Sequence, residues 1–501
     1  MTMKSGRFTY GQRNNGRGGK SPLGEHNHNQ RKPQRRTAFI CKVSKKISTP
    51  SHSSPLAASP RLSPSRIPKM NECASIEEMV NVAFDNFLQG DCGELRDIAA
   101  FWSHSPKIID NVNHDGVVQD KEQTLIQLRA LRNHTVKFIE QFDPADFSKS
   151  FLAVTKIFSS LTSKQKDTRD RDDIELFRCL LIENGDQPSE NPFQFFIYAS
   201  MPLLPQLTPR DLACGSYALS LLSWSSSLKD VNVLLDAISS EVASRVNQFD
   251  SRSLSRILFD VAKSDQSQPQ LFSVAGSYLC DLDATRFAPG EMANILFAFA
   301  TANESNPTVP TIFENIADAV VAQYTSSTRL SWFKPADLST IMWSFARAGE
   351  LQTDQFQRKM HNALFAKLCR MHEVFRLDDM SDIIWAMSRS SSNQSILTKI
   401  ATRINSDVQS LDFETSTSSL TRLVWTCCQS NVQIEGLFCQ DSKFMTACLE
   451  KKEEYKDDEL RKLYSFHLWQ QELNCDGLPS ELHDKCFEAQ LLPSNLLSGY
   501  D

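Results

Sequence analysis

The stretch FAPGEMANILFAFATA occupies residues 287–302, and closely related stretches begin at Phe249 (FDSRSLSRILFDVAKS), Phe333 (FKPADLSTIMWSFARA) and Phe375 (FRLDDMSDIIWAMSRS). In each, apolar residues recur at the i, i+3, i+4 and i+7 positions of one helix face. Self-similarity of this kind along a chain is the sequence signature of a repeat architecture. The chain is therefore predicted to repeat one helical unit several times.

The repeat extends beyond these four stretches and has a regular length. Related segments begin at Phe142, Leu207, Thr415 and Tyr455, and residues 90–105 form a further candidate. The sixth residue of the motif recurs at intervals of 38 to 46 residues, as Leu212, Leu254, Met292, Leu338, Met380, Leu420 and Leu460. A unit of about 40 residues accommodates two helices and two turns. The predicted fold class is all-α, an α-solenoid of antiparallel helical hairpins.

Each motif begins with several independent helix-start signals. Its first residue, such as Phe287, is placed to pack on the residue five positions later, here Met292, as in a hydrophobic staple. A capping side chain follows in some units, for example Asp250. Proline and then an acidic residue occupy the first turn, as Pro335 and Asp337 do. We therefore expect a helix to begin at the third residue of each motif.

Charge divides the chain into an arm and a body. Residues 1–70 carry 15 basic residues and one acidic residue, whereas the remainder carries 59 acidic against 39 basic residues. The arm is rich in Ser, Pro, Asn and Arg, a composition that predicts disorder. An organellar transit peptide and non-specific nucleic-acid contact are two alternatives for it, and we favour targeting. The predicted domains are this arm with a linker (1–70), the repeat array (71–490) and a tail (491–501).

Two motif positions recur with positive charge. The fifteenth residue is basic in several units, and so is the eighth, seven residues earlier on the same helix face. If repeats stack, these side chains align into a basic ladder able to meet phosphates, formed by Lys149, Lys156, Arg256, Lys263, Arg347, Arg389, Arg422 and Lys462. The alternative is that lysine and arginine near a helix C-terminus serve the helix dipole and solubility. The acidic body favours that alternative.

The eleventh motif residue is aromatic in five consecutive units, as Phe259, Phe297, Trp343, Trp385 and Trp425. Stacking on nucleobases is one interpretation. Packing between neighbouring repeats is the other, and we favour it because this position lies beside the apolar stripe.

Catalytic signatures are absent from the sequence. It contains no GxxxxGK[ST], GxGxxG, HExxH, GxSxG or CxxC motif. His467, Cys475, His483 and Cys486 have no standard zinc spacing. The thirteen cysteines are irregularly spaced, as expected of reduced thiols in an intracellular compartment. We expect no enzyme activity, cofactor, metal or small-molecule substrate, and no membrane insertion, because no apolar run reaches the length of a span.

At the quoted stretches the sequence resembles the repeats that precede the RAP domain in FAST-kinase-like and octotricopeptide-type organellar RNA-binding proteins. It is also similar to the helical-repeat subunit of the RNA-editing substrate-binding complex. The resemblance covers roughly residues 140–490. Because the chain reaches only Asp501, we expect it to lack the RAP domain itself.

The resemblance implies a non-catalytic RNA-binding scaffold in organellar RNA processing, transcript stability or ribosome assembly. The expected partners are organellar transcripts or rRNA and other RNA-processing proteins. The expected location is the mitochondrion, with chloroplast or cytoplasm as alternatives. A protein–protein interaction solenoid without direct RNA contact is the competing prediction, and the acidic body supports it.

Overall fold

The structure is a computed structural model, and it describes residues 70–87, 95–109, 117–162, 172–181, 192–222, 230–264, 268–302, 307–325, 333–349, 375–388, 416–434 and 436–491. Within these ranges every regular element is helical, which confirms the all-α prediction. The predicted basic arm, except Met70, and nearly all of the predicted tail lie outside the described residues.

The first half of the described chain contains eight α-helices. They are α1 (Ile76–Phe87), α2 (Leu95–Ile109), α3 (Lys121–Phe138), α4 (Pro144–Thr162), α5 (Asp172–Leu181), α6 (Pro192–Ser200), α7 (Pro209–Leu222) and α8 (Asp230–Ser244). The second half contains α9 (Ser251–Lys263), α10 (Pro269–Cys280), α11 (Pro289–Thr301), α12 (Val309–Thr325), α13 (Pro335–Ala348), α14 (Leu377–Ser388), α15 (Thr417–Ser430), α16 (Lys443–Glu450), α17 (Asp457–Glu472) and α18 (Ser480–Leu491). Short 3-10 turns precede α4, α7, α9 and α11.

The helices that carry the repeated motif pack on one another in chain order. Contacts run from α2 to α4 and then successively through α7, α9, α11, α13, α14, α15 and α17. The second helices form their own succession from α6 to α8, α10 and α12. Each motif helix from α4 to α15 thus lies between the motif helices of the preceding and following units. We call this succession the first-helix row.

The predicted helix starts are confirmed where the structure describes them. The helices α7, α11 and α13 begin at Pro209, Pro289 and Pro335, the third residue of their motifs. The staple residues are buried, Phe287 and Met292 among them. Their burial joins the helix start to the apolar core, where it removes apolar surface from water.

The acidic residue of the first turn closes the cap and also reaches the preceding unit. Glu291 accepts a hydrogen bond from the Ala288 amide at 3.1 Å and another from the Ser251 hydroxyl of α9 at 2.8 Å. Asp379 accepts from the Arg376 amide and from the Ser339 hydroxyl of α13, both at 3.2 Å. The same carboxylates that satisfy otherwise unpaired amides therefore link neighbouring motif helices.

A second polar contact closes each of three hairpins. Near the end of the second helix, a side chain donates to the backbone carbonyl of the first motif residue of the same unit. Arg245 Nη2 donates to Leu207 O at 2.8 Å, Tyr278 Oη to Phe249 O at 3.2 Å, and Gln323 Nε2 to Phe287 O at 3.1 Å. These three hydrogen bonds, here called the hairpin clasps, return each second helix to the start of its own repeat.

None of the described helices combines the length and the apolar character needed to cross a bilayer. The cysteines among the described residues are free thiols. Cys427, Cys448 and Cys486 are fully buried among apolar side chains, and burial raises the pKa of each thiol. These three cysteines are thus part of the packed interior.

Candidate nucleic-acid interface

The described members of the basic ladder lie on the first-helix row, on α4, α9, α13, α15 and α17. The row is interrupted at α7 and α11. At the eighth and fifteenth motif positions, α7 carries Cys214 and Leu221, and α11 carries Asn294 and Thr301. The structure thus places separate basic groups along the row rather than an unbroken column of charge. Arg389 lies outside the described residues.

Two lysines of the ladder form ion pairs on their own helices. Lys149 Nζ lies 3.1 Å from Asp146 Oδ1, and Lys462 Nζ lies 3.6 Å from Asp458 Oδ2. Both ammonium groups are well exposed, so water competes with the carboxylates and the pairs contribute little stability. The neighbouring carboxylates nevertheless reduce the positive potential that a phosphate would meet at these two positions.

Arg422 is held more firmly, by a carboxylate of the preceding motif helix. Its Nη2 donates to Asp382 Oδ1, which joins α15 to α14 at the eighth motif position of both. Asp382 is buried, and this raises the pKa of its carboxyl to about 7, although the Arg422 guanidinium opposes the rise. One edge of this guanidinium is therefore committed to a contact between repeats.

Two further ladder residues occupy the last part of their helices. Arg347 lies in the final turn of α13 and is half-buried. Lys156 is half-buried near Cys214 of α7; burial and then Asp211 raise the pKa of that thiol, and the Lys156 charge opposes this. The position of Arg347 fits the helix-dipole alternative as well as it fits a phosphate contact.

Arg256 differs from the other ladder residues in how it is held. Its Nε donates to Asp260 Oδ2 at 2.8 Å, one helical turn further along α9. Its guanidinium carbon lies 4.1 Å from the ring centroid of Tyr217 on α7 and 5.8 Å from that of Phe259. The first distance corresponds to direct stacking of a cation on an aromatic face. The arginine is thus fixed between two motif helices.

Asp260 is enclosed at this junction. Its side chain is 1% exposed, and Oδ2 also accepts from the Ser216 hydroxyl at 3.3 Å. Burial raises the pKa of its carboxyl to about 6, and the Arg256 charge is the largest effect in the other direction. The neighbouring Lys263 has its Nζ 5.9 Å from the Phe259 ring centroid, and burial lowers the pKa of its ammonium. With Asp260 ionised, the cluster keeps one net positive charge.

Four of the five aromatic residues of the eleventh position form a column. Ring centroids are 4.8 Å apart for Phe259 and Phe297, 5.3 Å for Phe297 and Trp343, and 5.8 Å for Trp343 and Trp385. The last two pairs are stacked within 30° of parallel. The rings fill the space between successive motif helices, which confirms the packing interpretation.

Tyr217 belongs to the same register and was not identified from the sequence. It lies five residues after Leu212, as Phe259 lies five residues after Leu254. Small polar residues surround it in α7, so the similarity to the other motifs is weak there. The shared spacing from the sixth motif residue was the signal that could have identified it.

Within the histidine and cysteine grouping near the C-terminus, His467 makes a structural contact. His467 is buried, and its Nδ1 accepts a hydrogen bond from the Leu478 amide at 3.0 Å. Burial and the nearby His483 lower the pKa of His467. Among the described residues, no group of three or more His, Cys, Asp or Glu side chains is arranged to hold a metal ion.

No protein-family model matches the chain, and no curated protein matches it significantly. The resemblance to the repeats of RAP-domain proteins stays a prediction.

Proposed function

We propose that this protein is a non-catalytic RNA-binding scaffold for RNA processing, transcript stability or ribosome assembly in an organelle, the mitochondrion first. In this proposal the first-helix row and the succession of second helices are the two layers of an α-solenoid of helical hairpins. Stacked hairpins create long surfaces on which the same motif position recurs, and an extended polymer can follow such a surface. RNA and other RNA-processing proteins are the proposed partners.

The observation that carries the proposal is the presentation of Arg256 on the first-helix row. A guanidinium stacked on Tyr217 and bound at Nε is already oriented before any ligand arrives. Arginine in a fixed orientation suits the planar, bidentate contacts that phosphate groups accept. The other ladder residues supply further charge at separate points along the row.

The interruptions of the ladder shape the proposal. Uncharged residues at α7 and α11, and carboxylates beside Lys149 and Lys462, leave few strong contacts with RNA. Each phosphate contact adds to the dependence of binding on salt. We therefore expect a modest salt dependence, corresponding to a few phosphate contacts rather than to eight.

Ultraviolet crosslinking in intact cells, followed by purification of the protein under denaturing conditions, tests the proposal. Covalently attached RNA supports it, and enrichment of organellar transcripts or rRNA supports the location. A variant with Arg347→Glu and Arg389→Glu tests two residues at the fifteenth motif position of the ladder. If this variant binds RNA with the affinity and the salt dependence of the parent, those two residues are not part of the interface.

A protein–protein scaffold is the second candidate, and the last helix pair favours it. Leu468 of α17 and Phe487 and Leu491 of α18 are exposed, although most large apolar side chains of the described residues are buried. Exposed apolar groups at the end of a repeat array suit contact with another protein. Recovery of protein partners without crosslinked RNA in the same experiment would favour this candidate over the first.

A further inference from the structure

The junction of α7 and α9 holds a guanidinium whose outer edge is left open. Asp260 engages Nε, and Tyr217 covers one face of the group. Among the contacts that the described residues make with Arg256, none engages its two Nη groups. The side chain is 37% exposed, so this end of the guanidinium reaches solvent. The open edge carries donors in the geometry that two oxygens of one phosphate accept.

Helix stability does not account for this arrangement. Asp260 lies in the last turn of α9, where a negative charge opposes the helix dipole. The order of the pair, arginine four residues before the acid, is the less favourable one for an ion pair on a helix. Burial of the carboxylate adds a desolvation cost that can exceed the attraction within the ion pair.

The hydrogen bonds to Asp260 give a second indication. Its Oδ2 receives both Arg256 and Ser216, and Ser220 supplies a further side-chain hydrogen bond to the carboxyl, so the carboxylate is held in place from both motif helices. A carboxylate that is costly to the helix, yet bound to the inner side of an arginine, is accounted for if its role is to aim that arginine.

We propose that Arg256 binds a backbone phosphodiester of single-stranded RNA through its two Nη groups, with Tyr217 and Asp260 as positioning residues. This inference rests on the proposed RNA-binding function and assigns its main contact to one junction of the array. Tyr217 supplies the face on which the guanidinium lies, and Asp260 fixes the rotation of the guanidinium about its long axis. Lys263 adds positive charge to the same site.

Three other ladder residues lack this combination. Arg422 is also an arginine, but it uses Nη2 for Asp382, so its outer edge is already engaged. Lys149 and Lys462 offer a single ammonium on a flexible stem, each with a carboxylate beside it. Arg256 is therefore expected to contribute more to RNA affinity than any of these three.

The test measures binding of the full-length chain to a fluorescein-labelled single-stranded RNA of mixed sequence over a series of salt concentrations. Arg256→Gln removes the phosphate contact, and we expect weaker binding with a salt slope smaller by about one. Arg256→Lys keeps the charge but loses the two Nη donors and the stacking on Tyr217. Its salt slope should therefore stay near that of the parent while its affinity for RNA falls. Tyr217→Leu should also lower affinity without changing the slope, because no charge is removed.

Arg286→Gln is the matched control. Arg286 is 84% exposed, pairs with Asp283 in the turn before α11, and is not a member of the proposed site. This substitution removes the same charge outside the proposed site, so affinity and slope should equal those of the parent. Circular dichroism of each variant verifies that the helices are intact.

The outcomes separate the site from the proposed function. If the parent binds the RNA and Arg256→Gln behaves like Arg286→Gln, the site is refuted and the scaffold function stands. If Arg256→Lys binds RNA with the full affinity of the parent, Arg256 contributes only its charge. The positioning roles of Tyr217 and Asp260 are then wrong. If the parent binds no RNA under any salt condition, both proposals fail.

Discussion

Replacing Asp260 with asparagine should change how the stability of the protein depends on pH. The side chain keeps its shape and can still accept a hydrogen bond, but it no longer titrates. In the folded protein burial raises the pKa of this carboxyl from its ordinary value of 3.8 to about 6. Because the raised pKa means that the folded state holds the proton more tightly than the unfolded state, folding is linked to proton uptake between these two values.

The sign and the size of the effect follow from that linkage. As pH rises from about 4 to about 6, the parent loses the contribution of the protonated Asp260, and its free energy of unfolding falls. A rise of the pKa from 3.8 to about 6 corresponds to about 3 kcal/mol. The asparagine variant lacks this loss. Its stability relative to the parent should therefore rise by about 3 kcal/mol between pH 4 and pH 7, whatever the substitution costs at pH 4.

Urea denaturation followed by circular dichroism at a series of pH values measures this difference. Asp382→Asn should behave in the same way over a wider range, because the pKa of that carboxyl is raised to about 7. Asp283→Asn is the control. Hydrogen bonds from Thr285 lower the pKa of this exposed carboxyl, so its contribution to the free energy of unfolding is lost only as pH falls below its ordinary pKa of 3.8. Between pH 4 and pH 7 its curve should therefore run parallel to that of the parent. Parallel stability curves for the parent and Asp260→Asn between pH 4 and pH 7 would refute the reasoning.

Two further substitutions test the packing of the repeats. Tyr278→Phe removes one hairpin clasp and leaves the Phe249 carbonyl unpaired, so the free energy of unfolding should fall by about 1 kcal/mol, whereas Tyr217→Phe should change it by less than about 0.5 kcal/mol. Equal effects of the two would show that the clasp contributes nothing. Trp343→Ala opens a cavity in the aromatic column between Phe297 and the next unit and should cost about 3 kcal/mol in urea denaturation. Tyr198→Ala, at a residue that is 61% exposed, is its control and should stay within about 0.5 kcal/mol of the parent.

Local rules explain why the helical repeat was predictable from the sequence. A staple such as Phe287 with Met292, a proline at the helix start and an acid in the first turn all act within six residues. Their agreement is visible in the sequence alone. The packing of Phe297 against Trp343 was also predictable, because both occupy one motif position beside the apolar stripe.

Polar contacts between helices were not predictable in the same way. Asp382 interrupts an apolar pattern, and the sequence gives no sign that Arg422, 40 residues later, covers it. The hairpin clasps use arginine, tyrosine and glutamine at separations of 38, 29 and 36 residues, so no shared spacing marks them. Such contacts depend on how two helices approach each other.

The hairpin clasps also bear on how the chain could acquire its structure during synthesis. Gln323 and Tyr278 each reach a carbonyl fewer than 40 residues earlier, so a hairpin can close as soon as its second helix has left the ribosome. Contacts at short sequence separation form with a small loss of chain entropy and favour rapid folding. The aromatic ring of each completed hairpin, such as Phe297, is then a surface on which the ring of the next unit can pack. Growth from the N-terminal end would keep the exposed apolar surface limited to one unit at a time.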